Sequence, residues 1–227
     1  VNDGHRVNWT EQPIFFLDFE GSQSSGVLEY GIVELTGGSI CKTQTRLCRA
    51  TGVVRPEDAG LHGLTERTLA GCDAFSVEWE LFAGMREQGP LAAHYAGVEN
   101  ALLKRVWPYP RSSPDFARPR ENVVDWGPWI DSARLYAQLY PHLGTGRLEE
   151  LIDLCGLQPE LDLLAARHCP VGRRRYHAAL YDALAGALLL VSLAREPRLA
   201  DLSIMQLLAL STLDGEKRDR LQQDELF

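Results

Sequence analysis

The stretch FFLDFEGS, Phe15 to Ser22, places two acids inside an otherwise apolar run. It is short, aromatic-rich and preceded by a proline, so residues 14–20 are predicted to form a buried strand. Side chains alternate along a strand, which puts Asp18 and Glu20 on one face. Two carboxylates buried side by side are costly unless something cationic lies between them. The rest of the chain has to account for that pair.

The segments on either side set the frame. VLEYGIVEL (27–35) and SICKTQTRLCR (39–49) alternate and are separated by Thr36-Gly37-Gly38, which reads as a hairpin turn. The opening third is thus predicted to be a three-stranded antiparallel meander. RPEDAGLHGLT (55–65) reads as loop, and residues 74–88 as an amphipathic helix ended by Gly89-Pro90. LAAHY (91–95) reads as a short buried strand feeding a helix over 97–106. The proline-rich segment 107–122 reads as a long surface loop, and VVDW (123–126) as a further strand. Helices are predicted near 131–140, 147–155, 160–167 and 178–194, the last apolar nearly all round and hence buried. Ser203 is placed to cap a final helix. With no repeat and no linker, the expectation is one α/β domain over residues 1–212 with a helical C-terminal half, followed by a charged tail, 213–227.

Composition narrows the function. The 227 residues carry a net charge of −8, so a surface basic all over, as in a general polyanion binder, is excluded. The five cysteines are scattered without a C-x-x-C pair, which points to reduced thiols in a cytoplasmic protein rather than disulfides or a zinc site. The richest apolar segment, residues 187–194, is too short for a membrane span, and the polar opening VNDGHRVNWTEQ has no signal-like pattern.

Three more stretches bear on Asp18 and Glu20. LAAHYAGVENALLKR sets Glu99 on the first turn of a helix after a buried strand. RRRYHAALYDALAGALL sets His177 just before, and Asp182 within, a helix otherwise small and apolar, where an unpaired acid is expensive. EDAGLHGLTERTL is a loop with a His-Gly pair at His62.

In this order the stretches resemble the DEDDh 3′–5′ exonucleases, the family of the proofreading subunit of bacterial DNA polymerase III, ribonuclease T and oligoribonuclease. LDFEGS resembles the first motif, D-x-E, with Gly21 and Ser22 where threonines are common. HYAGVENALL aligns without a gap to the second, H-N-A-x-F-D-x-x-F-L, so that Glu99 falls on the Asp and Tyr95 on the Asn. HAALYDA resembles the third, a His followed five residues later by Asp. LHGLT resembles an I-H-G-I-T segment, and WIDSARLYAQL a D-T-x-x-L-A stretch at Asp131. The matches span residues 14 to about 194.

The resemblance implies a ribonuclease H-like mixed sheet flanked by helices and a two-metal 3′–5′ exonuclease. Asp18, Glu20, Asp182 and Glu99 would hold two Mg²⁺ or Mn²⁺ ions, for which oxygen ligands are suited. His177 would be the general base on the attacking water. Gly21, Ser22 and His62 would line the nucleotide; by residue type alone, Tyr95 is a candidate for base stacking or for packing, and Arg175, in the run Arg173–Arg175, for gripping phosphate or for a solvated charge run. Glu99 and Tyr95 depart from the pattern, since Glu is one methylene longer than Asp and tyrosine removes an amide. The substrate expected is single-stranded 3′ ends, DNA slightly ahead of RNA. The alternatives are an RNA 3′-end trimmer and a weakened nucleic-acid-binding module on the same fold.

The preference for DNA comes from the tail. Its last residues, QDELF, resemble the Q-x-x-L-F peptides that dock bacterial polymerases and repair proteins on the sliding clamp, through Gln223, Leu226 and Phe227. Other signals have bland readings. Trp107 and Tyr109 read as packing rather than base stacking, His94 as a satisfied core histidine, and His168 beside Cys169 as no metal site.

Overall fold

The computed structural model describes residues 8–118 and 120–212; the tail and its clamp-like peptide lie outside them. In chain order the elements are β1 (Ile14–Ser22), β2 (Gly26–Thr36), β3 (Ser39–Leu47), α1 (Pro56–His62), α2 (Glu66–Leu69), α3 (Trp79–Gln88), β4 (Leu91–Ala93) and α4 (Gly97–Val106). There follow β5 (Ser113–Pro114), β6 (Asn122–Val123), β7 (Trp129–Asp131), α5 (Ser132–Leu139), α6 (Leu148–Leu154), α7 (Gln158–His168), α8 (Ala179–Ala194), α9 (Pro197–Ala200) and α10 (Ile204–Leu210).

Five strands make one mixed sheet in the order β3-β2-β1-β4-β7. The meander predicted for the opening third is there: β1 and β2 are antiparallel, as are β2 and β3, while β4 joins β1 in parallel and β7 joins β4. Alternation along β1 divides the core. Phe16 faces the layer containing α8, with Val33, Leu35, Ala92 and Ile130, whereas Phe15, Leu17 and Phe19 face α3 and α4. On that second face Tyr30, Phe75, Phe82 and Trp107 stack at edge-on or tilted angles, so Trp107 is packing, as its sequence context suggests.

Helix α8 is buried along nearly its whole length, as its composition predicts. Each of its buried leucines contributes about 1.5–3 kcal/mol relative to exposure. The close seat of the helix on the sheet depends on two glycines. A Cβ on Gly186 would stand 2.2 Å from the Phe16 ring, and one on Gly31 would stand 2.3 Å from the Ala179 carbonyl oxygen. Ser203 caps α10 by accepting from the Gln206 N–H, and Gln206 reciprocates.

Three expectations are corrected. Residues 55–65 are mostly helical: α1 begins at Pro56 and ends on Gly63 at φ +74°, a start and stop too close together to show a period. VVDW is not a strand of the five-stranded sheet; only its Val123 is in a strand, at the end of β6 paired with β5, and Trp126 is a buried core residue donating from its indole to the Trp107 carbonyl at 2.8 Å. The strand before α5 is instead Trp129–Asp131. Nor is 107–122 purely surface: Ser113 and Ala117 are buried, and fully buried Arg86 donates to the Pro114 carbonyl as well as to those of Trp126 and Gly127 beyond the segment. Among the described residues no helix is long and apolar enough to cross a membrane.

Candidate active site

Asp18 and Glu20 lie on the β1 face that carries Phe16, and therefore under α8. Asp18 sits opposite Gly31 in the β1–β2 register. Gly31 is where the first turn of α8 touches the sheet, so the same glycine that admits the helix brings Asp182, in that turn, to the two acids of β1. Any side chain at position 31 would lift the turn away.

One carboxylate oxygen each from Glu20 and Asp182, and a ring nitrogen of His177, all lie within 4.8 Å of one another. This is a group able to hold a metal ion. His177 is exposed and has φ +61°, and its backbone N–H donates to Asp182 Oδ2 at 2.9 Å. That leaves Asp182 Oδ1 buried with no partner. Glu99 Oε2 is in the same condition on α4. Asp18 and Glu99 stand outside the tight group, yet the charge of each of the others reaches Asp18.

The electrostatics follow from that crowding. Asp18 keeps some solvent contact, but its packed surroundings still desolvate its carboxyl. Desolvation first, and then Asp182, Glu20, Glu99 and Glu29, push it well above the usual carboxylate range. Burial pushes Glu20 up to about 8, with Asp182 and Glu29 adding and Arg173 opposing. Burial likewise takes Glu99 to about 8, and Asp182 to about 7 against the relief given by the His177 N–H. Such a set holds protons near neutrality unless cationic charge replaces them. The orphaned oxygens of Asp182 and Glu99 fit a divalent cation, as does the oxygen-rich donor set.

Glu99 arrives by a different route. After β4 the chain turns at Tyr95, φ +60°, and enters α4, whose N-cap residue Ala96 has no side-chain cap. Asp131, buried at the end of β7, replaces it by accepting from the Tyr95 N–H at 3.3 Å and the Ala96 N–H at 3.1 Å. The same carboxylate caps α5 through the Arg134 N–H. His94 is satisfied at both nitrogens. Its Nε2–H donates to the Gly146 carbonyl at 2.7 Å, which leaves Nδ1 to accept from the Ser132 hydroxyl at 2.8 Å. The Tyr95 hydroxyl lies over Gly146, 2.4 Å from where a Cβ would stand.

The remaining sequence candidates surround this centre. Gly21, φ +135°, forms a bulge after Glu20 at which a Cβ would stand 2.2 Å from the Gly26 carbonyl oxygen. The Ser22 hydroxyl is engaged by Ser24 at 2.9 Å and Ser25 at 3.2 Å. His62 is buried at the end of α1. Its Nδ1 accepts from the Leu64 N–H at 3.0 Å, so the neutral ring carries its proton on Nε2, a donor with no partner. Burial, and then the charge of Arg173, lower its pKa. The three arginines before His177 separate. Arg174 donates to the Ala166 and Cys169 carbonyls, and Arg175 lies exposed over Gly63. Arg173 is drawn inward to a residue that sequence reasoning missed, Glu29.

Glu29 is 2% exposed on β2, directly across from Glu20. Its signal was available: a lone acid in VLEYGIV interrupts an apolar strand just as Asp18 interrupts β1. Alternation alone, however, gives it no partner.

No family model matches the sequence, and no curated protein matches it significantly. Solved structures do. Exonuclease X in complex with 5′-overhanging duplex DNA is similar with TM-score 0.63 at 21% identity, over 88% of this chain and 99% of that one. The nuclease domain of 3′hExo, a DEDDh family member bound to rAMP, gives 0.57 at 15% identity over 84% and 95%. Exonuclease I gives 0.61 at 14% identity; the match covers 84% of this chain and 42% of that chain. The chain has the fold of DEDDh 3′-exonucleases, a mixed five-stranded sheet flanked by helices.

Proposed function

We propose that this protein is a metal-dependent 3′–5′ exonuclease that hydrolyses phosphodiester bonds at single-stranded 3′ ends and releases nucleoside monophosphates. The observation that carries the reading is the convergence of Glu20, His177 and Asp182 within 4.8 Å beside Asp18, with Asp182 Oδ1 buried and unpartnered. Asp18, Glu20, Asp182 and Glu99 are the residues that would hold two divalent cations, Mg²⁺ or Mn²⁺. When bound, such cations neutralise the acids and the charge developing at phosphorus. The chain's own part is to orient and to move a proton. His177, exposed at the mouth, accepts the proton of the attacking water on a ring nitrogen. Arg175, exposed over Gly63, is proposed as a donor to phosphate, half-exposed Tyr95 as a face for a base, and buried His62 as a wall of the nucleotide pocket.

Retention of five crowded acids, four of them with raised pKa, argues against the weakened-module reading, because a domain with no cation to hold is more stable without the repulsion. DNA is proposed slightly ahead of RNA on the tail resemblance at Gln223, Leu226 and Phe227, which would also make a sliding clamp a partner. The similar structures are named for DNA complexes and for an rAMP complex alike, so RNA trimming is the second reading. The test is digestion of matched 5′-labelled DNA and RNA strands with Mg²⁺ and with Mn²⁺. Stepwise shortening from the 3′ end that chelator stops supports the reading, and intact strands in every arm overturn it.

A further inference from the structure

His177 is placed by its backbone. Its ring makes no hydrogen bond among the described residues, it is exposed, and it precedes α8 in a segment without regular structure. Its φ of +61° is a conformation that costs a residue with a Cβ about 1–2 kcal/mol. Such a conformation persists only where the surroundings over-determine it.

Besides Asp182, the surroundings here are two residues with no role in the reaction proposed above. Arg173 presents its whole guanidinium fork. Nε donates to Glu29 Oε1 at 3.1 Å and Nη2 to Glu29 Oε2, Nη1 donates to the His62 carbonyl, and Nη2 also donates to the His177 carbonyl at 3.2 Å. Glu29 in turn accepts from the Ala179 N–H at 3.1 Å, one of the free donors at the start of α8. Ala178, the N-cap residue, offers no side-chain cap of its own. His177 is therefore gripped at its carbonyl by Arg173 and at its N–H by Asp182, and the residue two places on is held by Glu29. One ion pair joins β2, the end of α1, the His177 segment and the first turn of α8. It is itself mostly buried, with Arg173 14% and Glu29 3% exposed at the side chain.

We propose that Arg173, oriented by Glu29, is a positioning residue for His177. The fork fixes the peptide at 177 so that the imidazole stays beside Glu20 and Asp182, and it joins the His62 carbonyl to the same point. The catalytic consequence rests on the exonuclease reading; the mechanical part does not. A rival role is simpler: Arg173 only neutralises a buried Glu29. Lysine separates the two. It supplies the same charge with three donors on one nitrogen, and so cannot reproduce the four bonds that the planar fork directs to the carboxylate and two separate carbonyls.

The experiment compares the parent, Arg173→Lys, His177→Ala and the double variant on whichever labelled strand the parent digests, with Mn²⁺, and follows amide hydrogen exchange in each. Arg173→Lys is expected to lose about 10²-fold in kcat, the cost of misplacing a group by an ångström, with KM changed by less than about threefold. In the double variant Arg173→Lys is expected to add no loss beyond that of His177→Ala, because it acts through that residue. Exchange at residues 177–179 is expected to speed up in Arg173→Lys while β1 is unchanged. A kcat within about twofold of the parent, or losses that multiply in the double variant, would overturn the proposal. Unchanged exchange at 177–179 would overturn the latch even if the parent digests nothing, whereas an inactive parent by itself overturns only the exonuclease reading.

Discussion

The acids of the site come from two regions built differently. Asp18, Glu20 and Asp182 stand on a rigid frame, where α8 lies against β1 and β2 with no room for a methyl group at Gly31 or Gly186. Glu99 stands on an arm, the first turn of α4, whose direction depends on one buried carboxylate, Asp131, and on the left-handed turn at Tyr95. A frame with backbone-to-backbone contacts cannot shift to suit a longer side chain. In the arm the core anchors, Leu102 and Leu103, lie a turn beyond Glu99, and the entry to the helix rests on two hydrogen bonds at 3.1–3.3 Å. On the proposed reading, the added methylene of Glu99 falls on the element whose entry is set by Asp131 and not on the frame.

The sharpest way to break that comparison is to change acid length on each side. Asp182→Glu is expected to lose at least about 10²-fold in kcat, since the frame cannot accommodate it. Glu99→Asp, which shortens the acid on the arm, is expected to lose about tenfold or less. Equal losses in a steady-state digestion assay would remove the distinction. In stability the contrast moves to glycines. Gly31→Ala is expected to cost about 1–3 kcal/mol by overpacking against the Ala179 backbone. Gly97→Ala, at the start of α4 where an added Cβ meets nothing within 4 Å, is expected to change stability by less than about 1 kcal/mol and in the favourable direction. Denaturant midpoints check both.

Metal-free stability is also expected to slope with pH. Glu20, Glu99 and Asp182 have folded values raised to about 8, 8 and 7, above the unfolded carboxylate range near 4. A raised folded pKa means the native state binds protons more tightly than the unfolded one. Their contribution is full below about pH 4 and is lost as pH rises through 7–8. Metal-free protein is therefore expected to lose melting temperature from pH 5 to pH 8, and Mn²⁺ to restore it most at pH 8. A melting series in chelator and in Mn²⁺ that ran parallel across that range would show that these carboxyls are not where the ion binds.

Much of the frame was legible in the sequence. β1 declared itself through FFLDFEGS, and α8 through an Asp in an apolar helix, because periods of 2 and 3.6 survive wherever one face is buried. The arm was legible only as a gapless match around Glu99. The φ of +60° at Tyr95 has no period to show, and its support, Asp131, lies 36 residues further on. The same limit hid Glu29 and Arg173: their meaning is a contact across 144 residues, while each taken locally is a strand acid or one of three consecutive arginines. α1 was missed because a seven-residue helix between Pro56 and Gly63 shows its ends but too little of its middle. VVDW was misassigned because hydrophobicity alone does not distinguish a core plug such as Trp126 from a strand.

The central claim is that these acids converge to hold divalent cations for 3′-end hydrolysis. Asp18→Asn tests it most directly, measured for digestion of a 5′-labelled strand with Mn²⁺ and for thermal stability in chelator. The account predicts that digestion falls below detection while the metal-free protein becomes more stable, because the amide removes a carboxyl that burial and the neighbouring acids hold well above its usual range. Digestion at the parent's rate by Asp18→Asn would contradict it.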